Sequence, residues 1–340
     1  MSLPALATRP THKLLPLLRS EVSRISHRRL LRVLAVIFIA GIIVVSAIAF
    51  FAHRSTAGST TGELEANRAE QQFYWEQCAA NDRGRCGPEP ATQPLANFSY
   101  GENKQYRANE MLPIAVFASV LAAAGVAFIV GASSGGAEWS SRSMTLQLLW
   151  EPRRLRLLTI KWLGLVIVML ALAAVGICLA LAIAALTASV RGTWDGRMPT
   201  EFNGQSLGPL VTMMAGRGLV FVAIAATLGY AIAILVRNTG ASLGAAFIYF
   251  AVAENAVRLA LMKHGTEPFM LSTNTVAFMF PNGLDVPGRT LDPAEISPYG
   301  DYRETVMVHL SNVRALLTML FYTALVAVPA AWSFRRRDIG

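Results

Sequence analysis

Between Lys161 and Arg191 the chain reads WLGLVIVMLALAAVGICLALAIAALTASV, Trp162 to Val190, without one Asp, Glu, Lys or Arg. The run is continuously apolar rather than alternating. It therefore suits a helix that is apolar on every side and not a strand of a membrane barrel. At about 1.5 Å per residue it would extend roughly 43 Å, more than the ~30 Å hydrocarbon core of a bilayer, so it must tilt or project. Lipid offers no hydrogen bonds to backbone groups, and a helix satisfies its own.

Working outward, five further stretches have the same character: Val33–Ala52, Leu112–Gly131, Leu210–Val236, Ala241–Leu261 and Ala315–Phe334. Composition agrees. Of 340 residues 54% are hydrophobic and only 15% charged, against roughly 25% charged in a typical soluble domain. The expected fold is an all-α polytopic membrane bundle of six transmembrane helices. It carries an N-terminal interfacial helix and extracytoplasmic loops. The division is a cytoplasmic N-terminal segment 1–32, a transmembrane domain 33–334 and a cytoplasmic tail 335–340. The first apolar run begins near Val33, too late for a cleavable signal peptide, and reads as a retained span.

Orientation follows from Lys and Arg in the short flanks. The N-terminal segment carries Arg9, Lys13, Arg19, Arg24, Arg28, Arg29 and Arg32. The 132–161 loop carries Arg142, Arg153, Arg154, Arg156 and Lys161, the turn after the fourth span Arg237, and the tail Arg335, Arg336 and Arg337. With six spans these regions share one side, expected to be the cytoplasm of a cell membrane, with both termini inside. The net charge of +9 therefore reads as loops beside anionic lipid and not as a nucleic-acid surface, for which no base-reading motif or basic stripe exists. The outer loops are 53–110, 191–209 and 262–314. The first has eight acidic against six basic residues, so it lacks the positive bias of the inner flanks. In the third, the apolar patch from Phe269 to Pro281 leaves two readings open: a re-entrant helix pair, or an external subdomain with its own core.

Thr11–Leu31 is basic and amphipathic. Leu14, Leu18, Val22 and Ile25 fall on one helical face, which predicts a helix lying in the membrane interface. Cys78 and Cys86 share the first outer loop and are expected to form a disulfide there; Cys178, inside the third span, is expected to pack as a small hydrophobe.

Motifs of catalysis and cofactor binding are missing from the sequence. There is no G-x-x-x-x-G-K-[ST], no H-E-x-x-H and no G-x-S-x-G. Gly131–Gly136 is glycine-rich but lacks the lysine that would reach a phosphate. The five histidines pair with no Cys or carboxylate at metal-ligand spacing. No cofactor and no metal is expected on this chain.

The loop after the second span is the most informative stretch for function. From Gly136 it runs through Glu138, Ser140, Ser141, Arg142, Met144, Leu148, Leu149, Trp150, Pro152 and Arg154 to Lys161. Ser140 or Ser141 can cap a short helix and Pro152 ends it. Met144, Leu148 and Trp150 would be exposed away from lipid, which marks a docking surface. Glu138 and Arg142 are i, i+4 neighbours that could brace the helix or pair with a partner. This stretch resembles the cytoplasmic loop of ABC-2-type transporter permeases. They commonly show a Glu, a short helix with paired Leu, a Pro followed by a basic residue, and a Lys entering the third span. Glu138, Leu148 with Leu149, Pro152, Arg153 or Arg154, and Lys161 match. Six spans with both termini inside, the interfacial helix, the large loop before the sixth span and the ending Phe334–Asp338 are also similar. The first outer loop is longer than in many small members, which leaves the substrate class open. The resemblance implies a permease subunit of an ATP-driven exporter. Such a subunit works as a dimer with itself or a related permease and moves a lipophilic or peptide substrate. A separate ATP-binding subunit would dock on a coupling helix, here Glu138, Arg142, Met144, Leu148, Trp150 and Arg154; ATP would be bound only by that partner.

Three ionisable residues fall inside spans: Arg217, Glu254 and Arg258. Counting from the turn at Arg237–Thr239 places them near one depth, as a polar cluster or as a structural ion pair with Arg258 reaching outward. Two other functions stay open: a membrane-embedded enzyme acting on lipid or peptide, for which Glu254 is the sole intramembrane acid, and a sensor or scaffold binding a ligand through the outer loops.

Overall fold

The structure, a computed structural model, describes residues 14–53, 61–81, 88–95, 106–141, 143–144, 147, 153–194, 206–261, 265–290 and 305–336. Six helices among them are long and apolar enough to cross a membrane. They are α2 (Arg29–Ala52), α4 (Ala108–Ser140), α5 (Arg154–Arg191), α6 (Leu207–Val236), the pair α7 (Thr239–Phe247) and α8 (Glu254–Leu261), and α10 (Asn312–Arg336). They contain the six runs expected from sequence and extend most of them by a turn or more. The chain is a helical, multi-pass membrane bundle. The end of α4, the start of α5 and the end of α10 share one end of the bundle, called here the terminal side; the opposite end is the loop side.

The centre is the contact of α4 with α6. On α4, Ala123, Ala127, Gly131 and Gly135 recur every fourth residue and are buried. Small residues at that spacing let backbones approach closely. A Cβ on Gly229 of α6 would overlap the Phe128 carbonyl, and one on Gly131 would overlap the Ala226 carbonyl. The glycine-rich stretch Gly131–Gly136 is therefore a packing surface, not a loop. We expect Gly229→Leu to force α4 off α6 at a cost of about 1–3 kcal/mol or more. Gly125→Leu, where a Cβ meets nothing within 4 Å, should be neutral. Melting temperatures of the two variants in detergent, read by size exclusion, check this; equal values would contradict the packing account.

α6 ends at Arg237 in the left-handed conformation, φ 58°, with its amide bonded to Ala233 O at 2.8 Å. Asn238 then caps α7, accepting from Ala241 N at 3.1 Å, so the fourth and fifth spans reverse in very few residues. The fifth span is not one regular helix. Residues Ile248–Ala253 between α7 and α8 form a π-helical segment.

On the terminal side, α1 (Leu14–Ser26) precedes α2 and stops at His27–Arg28, shorter than the expected helix over 11–31. Of its apolar face, Ile25 is buried and Leu18 and Val22 are half-buried, and it crosses α5 so closely that a Cβ on Gly164 would lie 3.2 Å from Glu21 Cβ. On the loop side, α3 (Thr61–Asn81) occupies the first loop, where Gln72 Oε1 accepts from Ala91 N at 3.1 Å. Cys78 on α3 is disulfide-bonded; Cys86 lies outside the described residues. Cys178, expected to pack as a small hydrophobe, is free and exposed on α5.

Small β pairings tie the loop side together. β1 (Tyr106–Arg107) runs parallel to β2 (Gly192–Thr193), joining the start of α4 to the end of α5. β3 (Leu284–Thr290) runs antiparallel to β4 (Thr305–Leu310). Gly283 introduces β3 at φ +75°, where a Cβ would overlap the Leu310 carbonyl, so only glycine fits. Before β3 lies α9 (Leu271–Met279), preceded by a 3-10 turn at Glu267–Phe269. Among the described residues between Gly265 and Ser311, α9 is the one α-helix. It also has no core of its own, because Phe278 packs with Met319 of α10 and Ile224 of α6, and Met279 with Leu210 and Met214 of α6.

Candidate functional site: a buried ionic cluster and the loop it closes

Glu138 ends α4 on the terminal side, and Lys161 lies two turns into α5. Both side chains are almost fully buried, at 5% and 3% exposure. Lys161 Nζ is 2.9 Å from Glu138 Oε2. The other oxygen, Oε1, takes Arg24 Nη2 of α1 at 2.5 Å and Arg28 Nη2, from the residue that precedes α2, at 3.0 Å. Glu21, also on α1, pairs with Arg24 at 2.6 Å and with Lys161 at 3.4 Å. Arg28 also donates to Ser134 Oγ at 3.2 Å. Two carboxylates thus hold three cations across α1, α4 and α5. Burial alone would lower the Arg24 guanidinium, but Glu138 and Glu21 beside it hold it above its usual value.

This geometry corrects one expectation for the coupling residues, the exposure of Met144, and shows where two others lie. Glu138 faces inward and joins α1 to α5, so it is not on an exposed helix. Met144 is not exposed either; at 0% exposure it packs in the same core as Ile25, Leu158, Ile234 and Phe334. A thioether with apolar neighbours on hand gains more from burial than from water. Arg154 Nη1 approaches Arg335 O at the end of α10, 3.5 Å away. Arg142, Leu148 and Trp150 lie outside the described residues. Sequence reasoning missed Glu21, Arg24 and Arg28 as members of one site. The available signal was their spacing, i, i+3 and i+7, with Glu21 the lone acid in a basic segment.

Around the cluster, Trp139 meets Phe334 edge-on with ring centroids 6.1 Å apart, and the Arg237 guanidinium sits 4.2 Å above Trp139. The fourth-span turn and the end of α10 are therefore anchored to the residue next to Glu138.

The intramembrane trio does not form one cluster. Glu254 Oε1 accepts from Ser272 N at 2.8 Å and Ser272 Oγ at 2.6 Å, at the N-terminus of α9. Arg258 pairs with Glu267 at 2.9 Å and donates to Ser272 and Thr273. Arg217 is at the other end of α9, donating to Phe278 O at 3.1 Å and Phe280 O at 2.9 Å. An acid at the N-terminal amides and a cation at the C-terminal carbonyls both complement the helix dipole. The separation has a structural cause: α9 is inserted between the three residues, whereas the depth count set α6 directly beside the fifth span.

No family profile matches the chain, and no curated protein matches it. The class defined by the fold is a multi-pass helical membrane protein with six apolar helices.

Proposed function

We propose that this chain is the permease subunit of an ATP-driven exporter. It forms the path as a dimer and receives its energy from a separate ATP-binding subunit docked on the loop between α4 and α5. The observation that carries the reading is the closure of that loop. Glu138 and Lys161, two of the positions that gave the resemblance to ABC-2-type permeases, stand at opposite ends of it and form a buried ion pair at 2.9 Å. A force on the loop would reach α4 and α5 together through this pair, α1 through Arg24, and the start of α2 through Arg28. A docking element needs such rigid footing if movement of the partner is to move the spans. The lack of a Walker A motif is consistent with ATP being bound elsewhere. Lipid or a second permease copy would cover the least enclosed spans, α2 and α7–α8, where Val36, Ile37, Phe247 and Ile248 are exposed. In this orientation the terminal side is the cytoplasm.

A photocrosslinking residue at Trp150, used in membranes of the native cell, tests the reading. The expected product is a conjugate to a protein that an azido-ATP probe also labels. Crosslinking to lipid alone, with no ATP-binding conjugate, would overturn the docking assignment.

A further inference from the structure

A groove of about 400 Å³ runs between α2, α4 and α5 and is lined almost wholly by apolar side chains. On α2 its lining extends from Leu34 to Ala49 and on α4 from Val126 back to Met111, roughly 22 Å along each helix. A groove that is apolar along its whole length suits a chain that is apolar along its length and polar at one end.

The loop-side mouth is cationic. Arg191 is one turn beyond Thr187, which lines the groove. Its guanidinium lies 4.2 Å above the Phe50 ring and spends one N–H on His53 O at 3.1 Å. Its other N–H groups have no protein acceptor among the described residues. Arg107 adjoins Tyr106, also in the lining, and the β1–β2 pairing brings it to Thr193, two residues from Arg191. Arg107 is itself paired with Glu110 at 3.1 Å, so Arg191 is the open cation. His53 completes the rim, its ring 5.1 Å from Tyr106.

We propose that this groove is a resident phospholipid site. An acyl chain lies along α2 and α4, and the phosphate sits at the mouth on Arg191. The Arg191 position favours an anionic headgroup at that depth, because the guanidinium is held by His53 and Phe50 with donors left over. The site does not depend on the permease reading, since it needs only a bilayer.

Native mass spectrometry of the full chain decides it, after reconstitution in vesicles of equal parts phosphatidylcholine and phosphatidylglycerol and release into mild detergent. The expected result is one glycerophospholipid per chain. Arg191→Gln should lower its retention about tenfold, the scale of one charge-assisted hydrogen bond. Gly41→Leu fills the groove from α2, where a Cβ meets nothing within 4 Å. It also favours the helix, so a folded protein with about tenfold less lipid is expected. A chain that carries no lipid, a free fatty acid in place of a phospholipid, or unchanged phospholipid retention in both variants would overturn the site.

Discussion

Replacing Glu138 by alanine should leave little folded protein. Lys161 would then be 3% exposed with Glu21 at 3.4 Å as its remaining ion-pair partner. Arg24 and Arg28 would lose their shared acceptor. Breaking a buried ion pair from one side costs about 3–5 kcal/mol, because the surviving charge stays desolvated. That is a large fraction of the stability of a typical domain. The pair Glu138→Leu with Lys161→Met should recover much of the loss, since well-packed apolar residues often replace a buried ion pair at little cost. Yield and melting temperature of the two variants in detergent give the comparison. If Glu138→Ala folds as the natural protein does, Glu138 is solvated and the cluster holds nothing. If the double variant is no better than the single one, the loss does not come from the stranded charge.

Glu254→Ala should be more damaging than Arg217→Ala. Glu254 is 5% exposed and holds the first turn of α9 through two hydrogen bonds to Ser272, at 2.6 and 2.8 Å. Its removal leaves a half-buried backbone amide and a hydroxyl to find new acceptors, at up to about 1–3 kcal/mol each. Arg217 has a deputy. Asn312 Nδ2 already donates to Ala277 O at 2.7 Å and Phe280 O at 2.5 Å, so the C-terminal carbonyls of α9 keep a donor when Arg217 is cut back. Limited proteolysis at 265–290 reads the outcome. Greater protection of that segment in Glu254→Ala than in Arg217→Ala would contradict the assignment.

The spans were legible because their signal is local: some twenty consecutive apolar residues announce a crossing wherever they occur, and Arg237–Asn238 announces the tight reversal between two of them. Glu138 and Lys161 were legible as the flanks of one loop, through resemblance. Their bond was not, and neither were Arg24 and Arg28, which lie more than a hundred residues earlier in the chain. Nothing in a short window records such a contact. Met144 was misread because an apolar residue in a polar loop looks exposed until the core it joins, here the one with Leu158, Ile234 and Phe334, is assembled. The depth count that grouped Arg217 with Glu254 treated the fifth span as an ordinary helix facing α6. The π-helical turn at Ile248–Ala253 takes extra residues per turn and changes which face the following residues present, and α9 fills the space between. The β3–β4 pair was overlooked because the apolar patch before it drew the reading towards the membrane, although Gly283 marks the turn into it.

The permease account is tested most directly by ATP hydrolysis. The chain has no G-x-x-x-x-G-K-[ST] motif, and the account assigns ATP hydrolysis to a partner subunit. The account predicts that the chain drawn from native membranes brings a vanadate-sensitive ATPase with it. Leu148→Asp should remove that activity while the six spans stay folded and inserted, because an aspartate at the centre of a docking surface costs roughly 2 kcal/mol or more in binding. A folded natural chain that purifies with no ATPase, or a Leu148→Asp chain that keeps all of it, would contradict the account.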